Sequence, residues 1–195
     1  MSDQPSPQSL RTEAIETLLI EKKLLTSTAV DTVLTTFSEQ VGPMNGAKLV
    51  ARAWIDEGFK ARLLEDATTI IAEYGFEGGQ VDKLIVKACS ESVHHVVVCT
   101  LCSCYPWAVL GLPPRWYKDP GYRSRIVREP RKVLTEMGLT LPDTTSIKVW
   151  DSSAEIRYLV LPLRPAGTED LDETALAELI TRDAMIGVAA IEPPS

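Results

Sequence analysis

Apolar residues recur three or four positions apart through the first third of the chain, which is the spacing of one face of an α-helix. Two such stripes are Ile15, Leu18, Leu19 and Leu25, followed by Val30, Val33, Leu34 and Phe37. A capping box over residues 28–31 predicts the start of the second helix. A third helix is predicted from Pro43 to Trp54, and a fourth from Phe59 to Tyr74, where Gly75 ends it.

Residues 1–9 are polar and contain two prolines, so we expect a disordered tail. Residues 10–75 then form a predicted helical arm with several apolar stripes and little β-structure nearby. Such an arm has two interpretations: it packs on its own domain, or it wraps a second subunit.

The hydrophobic pattern changes to short strands after the arm. Residues 81–88 and 93–98 are rich in β-branched side chains, which is typical of strands. Residues 146–150 and 155–161 predict a hairpin pair, although the connection between them is longer than a tight two-residue turn.

Two further helices are predicted in this second region. One lies between Pro130 and Gly138, and the last spans roughly residues 171–181. We therefore expect an α+β fold in which the N-terminal helical arm is followed by a layered sheet-and-helix domain over residues 76–195.

Composition and charge exclude several classes of protein. The chain has 195 residues, of which 45% are hydrophobic, and a formal net charge of −7. No basic patch with interleaved aromatic residues offsets this charge, so nucleic acid is not an expected partner. There is no long apolar run, and the N-terminus lacks the features of a signal peptide. We expect no membrane partner and a cytoplasmic location.

Three of the four cysteines lie within residues 99–104, in the order Cys-Thr-Leu-Cys-Ser-Cys. The thiolates of Cys102 and Cys104 and the backbone nitrogens of Ser103 and Cys104 can surround one ion in a plane, with Cys99 as a fifth ligand below it. The sixth octahedral position then stays open for water or substrate, as in a catalytic metal site. We call this segment the claw, and we predict Cys99, Cys102, Ser103 and Cys104 as its metal ligands.

Other sites fit the claw spacing less well. Structural zinc takes four ligands, usually as two separated pairs, and an iron–sulfur cluster needs four cysteines. The other candidates are Cys89, His94 and His95. A redox-active pair of Cys99 and Cys102 leaves the third cysteine without a role. A mononuclear catalytic metal is the favoured interpretation, while zinc and redox or inert thiols stay open.

The charge of the ligand set narrows the choice of metal. Three thiolates and two deprotonated amides carry five negative charges, so trivalent cobalt or iron suits the site better than magnesium or calcium. The excess negative charge requires arginines nearby, from this chain or from a partner subunit. Five arginines follow the claw, each of which also has an interpretation as part of a solvated basic face: Arg115, Arg123, Arg125, Arg128 and Arg131.

Several long motifs surround the claw. They are residues 98–107, 110–117, 122–134 and 157–168, with Ala51-Arg52-Ala53-Trp54 and Tyr74-Gly75 upstream. Together these motifs resemble the nitrile hydratase α-subunit family, in its cobalt-type form, over roughly residues 45 to 190.

The resemblance implies an enzyme that hydrates small nitriles to amides at a low-spin, non-corrin cobalt(III) centre. It implies a β subunit, in an αβ or α2β2 assembly, and an activator protein that delivers the metal. It favours an arm that embraces the β subunit. Thr100 and the Tyr105-Pro106 pair match cobalt-type members, and iron(III) stays as the alternative.

The resemblance also assigns roles to individual residues. Cys99 stays an unmodified thiolate, Cys102 is oxidised to a sulfinate and Cys104 to a sulfenate. Three routes to the amide stay open. The nitrile binds at the sixth position and the metal polarises its carbon, metal-bound hydroxide attacks a nearby nitrile, or the sulfenate oxygen of Cys104 is the nucleophile. Gln80 corresponds to a pocket glutamine and Trp107 to an aromatic pocket wall. An alternative interpretation fits each equally well: Gln80 is an ordinary loop residue, and Trp107 is a core aromatic. The implied catalytic residues are Cys104, Gln80 and Trp107.

Two alternative functions stay open. Thiocyanate hydrolase has a closely similar claw subunit and a substrate that also carries a carbon–nitrogen triple bond. A noncatalytic metal-binding or redox-sensing protein is the second alternative. The chain departs from many relatives at residues 88–92, where Cys89 is an extra thiol.

Overall fold

The computed structural model describes residues 7–41, 44–76 and 83–193. The chain divides into two compact units, residues 1–40 and residues 41–195. Within the described residues, no helix is both long enough and apolar enough to cross a membrane.

The first unit is helical. It contains helix α1 (Pro7–Glu21) and helix α2 (Ser27–Thr35), and a π-helical turn over Thr36–Val41 follows. Helix α1 begins inside the segment 1–9, whose first six residues lie outside the described residues. Neither helix buries any of its residues, and Ile15 is 59% exposed. Within the described residues, the apolar stripes of this unit thus stay half-buried or exposed.

The N-cap of α2 differs from the predicted one. Thr26 is the cap, and its hydroxyl accepts a hydrogen bond from the backbone N–H of Ala29 at 3.1 Å. The predicted capping box over residues 28–31 is wrong, because Thr28 already lies inside the helix. Its carbonyl oxygen accepts a hydrogen bond from the hydroxyl of Thr32.

The second unit begins with three helices: α3 (Met44–Ile55), α4 (Glu57–Glu65) and α5 (Ala67–Glu73). The predicted fourth helix is thus two helices, which meet at Asp66. The backbone of Asp66 is not helical, and its carboxylate accepts a hydrogen bond from the N–H of Thr69 at 3.1 Å, which caps α5.

Part of the predicted arm, residues 10–75, lies in the second unit. Helices α3 to α5 contribute Leu49, Leu63 and Ile70 to the same buried core as the strands, and the boundary between the units falls at residue 40. Helical periodicity shows which face of a helix is apolar, but it does not show what covers that face.

The strands are β1 (Lys83–Ala88), β2 (Val93–Val98), β3 (Ser146–Asp151) and β4 (Ile156–Leu161). Strand β1 pairs with β4, and β2 pairs with β3, and both pairs are parallel. These strands and the helices confirm the predicted α+β class.

The predicted hairpin between β3 and β4 is wrong. Strand β3 ends with Asp151 opposite Val98, and the N–H of Ser152 donates to the Val98 carbonyl at 2.7 Å. The chain then enters the other sheet, where Ile156 lies opposite Lys83. Residue alternation identifies strands, but it does not identify the strands they pair with.

Short helices complete the described part of the second unit: α6 (Trp107–Leu110), α7 (Pro120–Ile126), α8 (Pro130–Glu136), α9 (Glu173–Leu179) and α10 (Arg182–Ile186). The predicted helix between Pro130 and Gly138 is confirmed as α8, and Gly138 has a φ of 97°. The predicted last helix is confirmed as the shorter α9.

Candidate metal centre

The cysteine cluster follows the buried C-terminal end of strand β2. Strand β2 is hydrogen-bonded to β3 along its length, and the chain leaves the sheet at Cys99, which has no exposed surface. Cys102 is exposed, while Cys104 is buried with 9% of its surface accessible. The buried strand thus gives a flexible loop one rigid end.

The three sulfur atoms converge on one point. The Sγ atoms of Cys99 and Cys102 lie 3.5 Å apart, those of Cys102 and Cys104 lie 3.0 Å apart, and all three lie within 4.8 Å of one another. The backbone N–H of Cys102 also donates to the Cys99 sulfur at 3.3 Å. The structure therefore brings together the three cysteines that the spacing predicts.

These separations fit a single metal ion. Two thiolates bound at right angles, each at about 2.3 Å from the metal as in zinc thiolates, lie about 3.3 Å apart. The observed 3.0 Å and 3.5 Å lie on either side of that value. The backbone N–H groups of Ser103 and Cys104 lie close enough to the Cys102 sulfur to lower its pKa. The three sulfur atoms and these two backbone nitrogens therefore lie on the same side of the loop as the predicted ligand set requires, and the sulfur atoms form a cluster that could hold an ion.

The pKa values of Cys102 and Cys104 are shifted in opposite directions. Hydrogen bonds from Cys104 and then Cys99 lower the pKa of Cys102 to about 7. Burial, and then the hydrogen bond with Cys102, raises the pKa of Cys104 to about 12, against the opposing effect of the Arg157 charge. The exposed Cys102 therefore ionises before Cys104.

Strand β3 fixes the first turn of the claw. The carboxylate of Asp151 accepts hydrogen bonds from the N–H of Thr100 at 2.9 Å and from its hydroxyl at 2.5 Å. Sequence reasoning missed Asp151. The parallel register that places it beside the claw has no local signal in the sequence.

Arg123 is the predicted arginine that reaches the claw. Its Nη1 donates to the carbonyl oxygen of Cys102 at 2.5 Å. The side chain of Arg125 is instead held by Glu129 and Glu136. The other predicted arginines point elsewhere: Arg131 donates to carbonyls of residues 141, 142 and 145, and Arg115 and Arg128 are exposed.

A second arginine near the claw was not predicted as a claw partner. Arg157, on β4, is 6% exposed, and its charge lowers the pKa of Cys104. The Nε atoms of both Arg157 and Arg123 are buried without a hydrogen-bond partner in the described structure. Unsatisfied cationic donors beside three thiols fit a metal centre with excess negative charge.

A buried aromatic layer supports the claw from within. The hydroxyl of Tyr117 donates to the Cys104 carbonyl at 2.9 Å, and that of Tyr122 donates to the Val97 carbonyl at 2.8 Å. The rings of Tyr105 and Tyr117 meet edge to face with 5.1 Å between their centroids. Burial raises the pKa of both donating hydroxyls, so they stay protonated.

The remaining candidate residues are not ligand atoms of the sulfur cluster or lie outside the described residues. Trp107 begins α6, is half-buried and packs against the core. Gln80 lies outside the described residues. His94 bonds the Gly187 carbonyl through Nε2 at 2.8 Å, and Nδ1 of His95 accepts a hydrogen bond from a tryptophan. Neither histidine belongs to the sulfur cluster.

Comparison with known proteins agrees with this geometry. The family model for the nitrile hydratase alpha chain matches residues 6–189. The low-molecular-weight cobalt-containing nitrile hydratase subunit alpha of Rhodococcus rhodochrous is 53% identical over 185 residues, which is 95% of this chain and 89% of that protein. The thiocyanate hydrolase subunit gamma of Thiobacillus thioparus is 44% identical over 92% of this chain and 78% of that protein.

Solved structures agree as well. A double mutant of the Fe-type nitrile hydratase from Comamonas testosteroni superposes with a TM-score of 0.87 at 43% identity, over 96% of this chain and 91% of that one. The buried strand, the converging sulfurs and these similarities together lead to one conclusion: the chain belongs to the nitrile hydratase α-chain family.

Proposed function

We propose that this chain is the metal-carrying α subunit of a cobalt nitrile hydratase, a lyase that adds water to a nitrile to give an amide. The observation that carries the proposal is the convergence of three thiols at the end of β2. The relatives that are 52–54% identical to this chain are named nitrile hydratase subunits, and several of them are named cobalt-containing.

The ligands we propose are the sulfur atoms of Cys99, Cys102 and Cys104 and the backbone nitrogens of Ser103 and Cys104. Cobalt(III) bound to them supplies Lewis acidity at an open sixth position. Iron(III) is the alternative, and a solved relative is named Fe-type. The higher identity to cobalt-containing relatives favours cobalt.

We assign the sulfinate to Cys102 and the sulfenate to Cys104, with dioxygen as the oxidant. The exposure and low pKa of Cys102 support its deeper oxidation, because oxidation follows thiolate character and access. Cys99 has no exposed surface, which supports its persistence as a thiolate. The sulfenate oxygen of Cys104 then lies beside the substrate position and is a candidate nucleophile.

Gln80 and Trp107 complete the proposed substrate site. Trp107 begins the helix that follows the claw by two residues, and its half-buried indole supports a role as an apolar pocket wall. Gln80 is proposed from the resemblance alone.

The proposal also includes partners. The β subunit supplies the rest of the pocket, in an αβ or α2β2 assembly, and an activator protein delivers the metal. The proposed location is cytoplasmic.

We propose residues 10–40 as the arm that contacts the β subunit. The support is that α1 and α2 carry apolar stripes yet bury no residue within the chain. Apolar side chains that are half-exposed on both helices need a partner to leave water.

The test is to produce the chain with its β subunit and activator in cobalt medium. We expect one cobalt per α chain, a mass gain of about three oxygen atoms on the peptide that holds Cys102 and Cys104, and hydration of small nitriles. A Cys104→Ala variant is expected to lose turnover. Full turnover in that variant, or a loaded and oxidised protein that hydrates no nitrile, would refute the proposal.

Thiocyanate hydrolase is the second candidate, because its gamma subunit is 44% identical over most of this chain. The higher identity to nitrile hydratase subunits favours nitriles. Parallel assays with thiocyanate and with small nitriles on the same loaded protein decide between the two.

A further inference from the structure

Arg123 contacts one particular peptide group of the claw. Its Nη1 donates to the carbonyl oxygen of Cys102 at 2.5 Å. That carbonyl carbon is bonded to the backbone nitrogen of Ser103, so oxygen and nitrogen belong to the same peptide unit. The guanidinium therefore acts on the unit whose nitrogen is one of the two proposed amide ligands.

Electron delocalisation within a peptide unit connects its two ends. When the Ser103 nitrogen binds a metal ion, its proton leaves to solvent, and part of the resulting negative charge lies on the Cys102 oxygen. A hydrogen bond from a cation to an oxygen that carries charge is about twice as strong as one between neutral groups. The contact thus strengthens when the metal is bound.

We propose that Arg123 is a positioning residue of the metal centre, which neutralises the charge on the Cys102–Ser103 peptide unit and so retains the ion. The inference depends on the proposed ligation by Ser103. It concerns metal retention, and Arg123 does not need to touch the substrate.

The charges around Arg123 support this role. No carboxylate lies within ion-pair distance of its guanidinium in the described structure, whereas Arg125, two positions later, is held by two glutamates. Within the described residues, the positive charge of Arg123 is therefore not neutralised by an ion pair. Its Nε is buried without a partner, so the side chain is not simply a solvated surface group.

A comparison within the claw points the same way. The Cys104 carbonyl belongs to the peptide unit of the Tyr105 nitrogen, which is not a proposed ligand, and its donor is the neutral hydroxyl of Tyr117. The carbonyl that shares a unit with the Ser103 nitrogen has a cationic donor. Of these two peptide units, the one whose nitrogen is a proposed ligand has the cationic donor, and the other has the neutral donor.

The experiment uses the assembled cobalt enzyme with Arg123→Gln, Arg123→Lys and the control Arg128→Gln, which changes an exposed arginine near the end of the same helix. The measurements are cobalt per α chain, the rate of cobalt release into a chelator, and the visible absorption of the sulfur-bound cobalt. We expect Arg123→Gln to release cobalt about 10- to 100-fold faster than the unchanged protein, as for other residues that contact metal ligands.

Arg123→Lys is expected to release cobalt at a rate between those of Arg123→Gln and the unchanged protein, because an ammonium keeps the charge without the planar fork of a guanidinium. Arg128→Gln is expected to match the unchanged protein. The cobalt that remains in Arg123→Gln is expected to absorb at a shifted wavelength, since its amide ligand has lost a cationic hydrogen bond. A purely structural loss would lower the cobalt content and leave the band in place.

An unchanged release rate and band in Arg123→Gln, in a preparation whose unchanged form holds cobalt and hydrates nitriles, would overturn the role of Arg123 alone. An unchanged form that holds no cobalt after maturation would overturn the proposed function as well. If Arg123→Gln does not assemble, Arg123→Lys decides: faster release with a shifted band supports the role, and unchanged values overturn it.

Discussion

The carboxylate of Asp151 holds Thr100 by two hydrogen bonds, one from its backbone N–H and one from its hydroxyl. Asp151 is the last residue of β3 and lies opposite Val98, the last residue of β2. The cysteine loop therefore starts from two paired strand ends, and the carboxylate closes its first turn. The geometry of the claw depends on this parallel register as much as on the cysteines.

Replacing Asp151 with alanine is expected to loosen the claw without removing a ligand. Both hydrogen bonds to Thr100 are lost, and we expect cobalt release from the assembled enzyme to accelerate about 10- to 100-fold. The measurement is release into a chelator, with Asp143→Ala, at an exposed turn, as the control. Equal release rates in both variants would show that the claw keeps its shape without the hydrogen bonds to the Asp151 carboxylate.

Two tyrosine-to-phenylalanine variants separate metal retention from stability. Tyr117→Phe and Tyr122→Phe each leave a buried carbonyl without its donor, so each is expected to lower the free energy of unfolding by about 1–3 kcal/mol. Cobalt release is expected to change for Tyr117→Phe, whose bond is to Cys104, and to stay unchanged for Tyr122→Phe. Denaturant unfolding and chelator release are the two measurements. A matching effect of both variants on release would contradict the specific role of Tyr117.

The metal-free protein is expected to react at Cys102 with a pH midpoint near 7, because its pKa is lowered to about 7. Alkylation by iodoacetamide, read by peptide mass, should modify Cys102 before Cys89, whose pKa is raised by burial. A lowered pKa in the folded state stabilises the fold above the unperturbed value of 9.0, and this stabilisation is lost as the pH falls through about 7. Cys102→Ser should lack that pH dependence of unfolding, and a midpoint near 9 in the unchanged protein would contradict the prediction.

The proposed arm predicts a defect in assembly. Ile15 is 59% exposed within this chain, and an aspartate there would place a charge in an apolar interface. We expect Ile15→Asp to weaken association with the β subunit by about 10- to 100-fold, which corresponds to the burial of one isoleucine. Thr12→Asp adds the same charge at a polar position of the same helix and is the control. Sedimentation of the mixed subunits measures both, and equal association would place the interface elsewhere.

The part of the site that the sequence predicts is local. The spacing of Cys99, Cys102 and Cys104 and the β-branched run before them are contiguous, and the structure confirms the strand and the sulfur cluster. Helix α8 is confirmed for the same reason, because its proline and glycine are its own boundary signals.

The part that the sequence does not predict is formed by distant segments. Asp151 and Arg157 reach the claw only because β3 and β4 join different sheets in parallel, and the hydrophobic pattern suggested a hairpin instead. The sequence does not distinguish Arg123 from the four other arginines that follow the claw, whereas the fold places it beside Cys102. The period of an apolar stripe likewise does not show which surface the stripe packs on. The pattern therefore did not separate residues 10–40 from residues 41–75, which lie in different units of the structure.

The pairing of β2 with β3 also orders events on the ribosome. Asp151 is 51 positions beyond Thr100, so a nascent chain displays all three claw thiols well before the strand that fixes their loop has been synthesised. Until then the loop lacks the two hydrogen bonds from Thr100 to Asp151 that hold its first turn in the folded chain. We therefore expect the proposed metal delivery to act late, on a chain that has already been translated past β3.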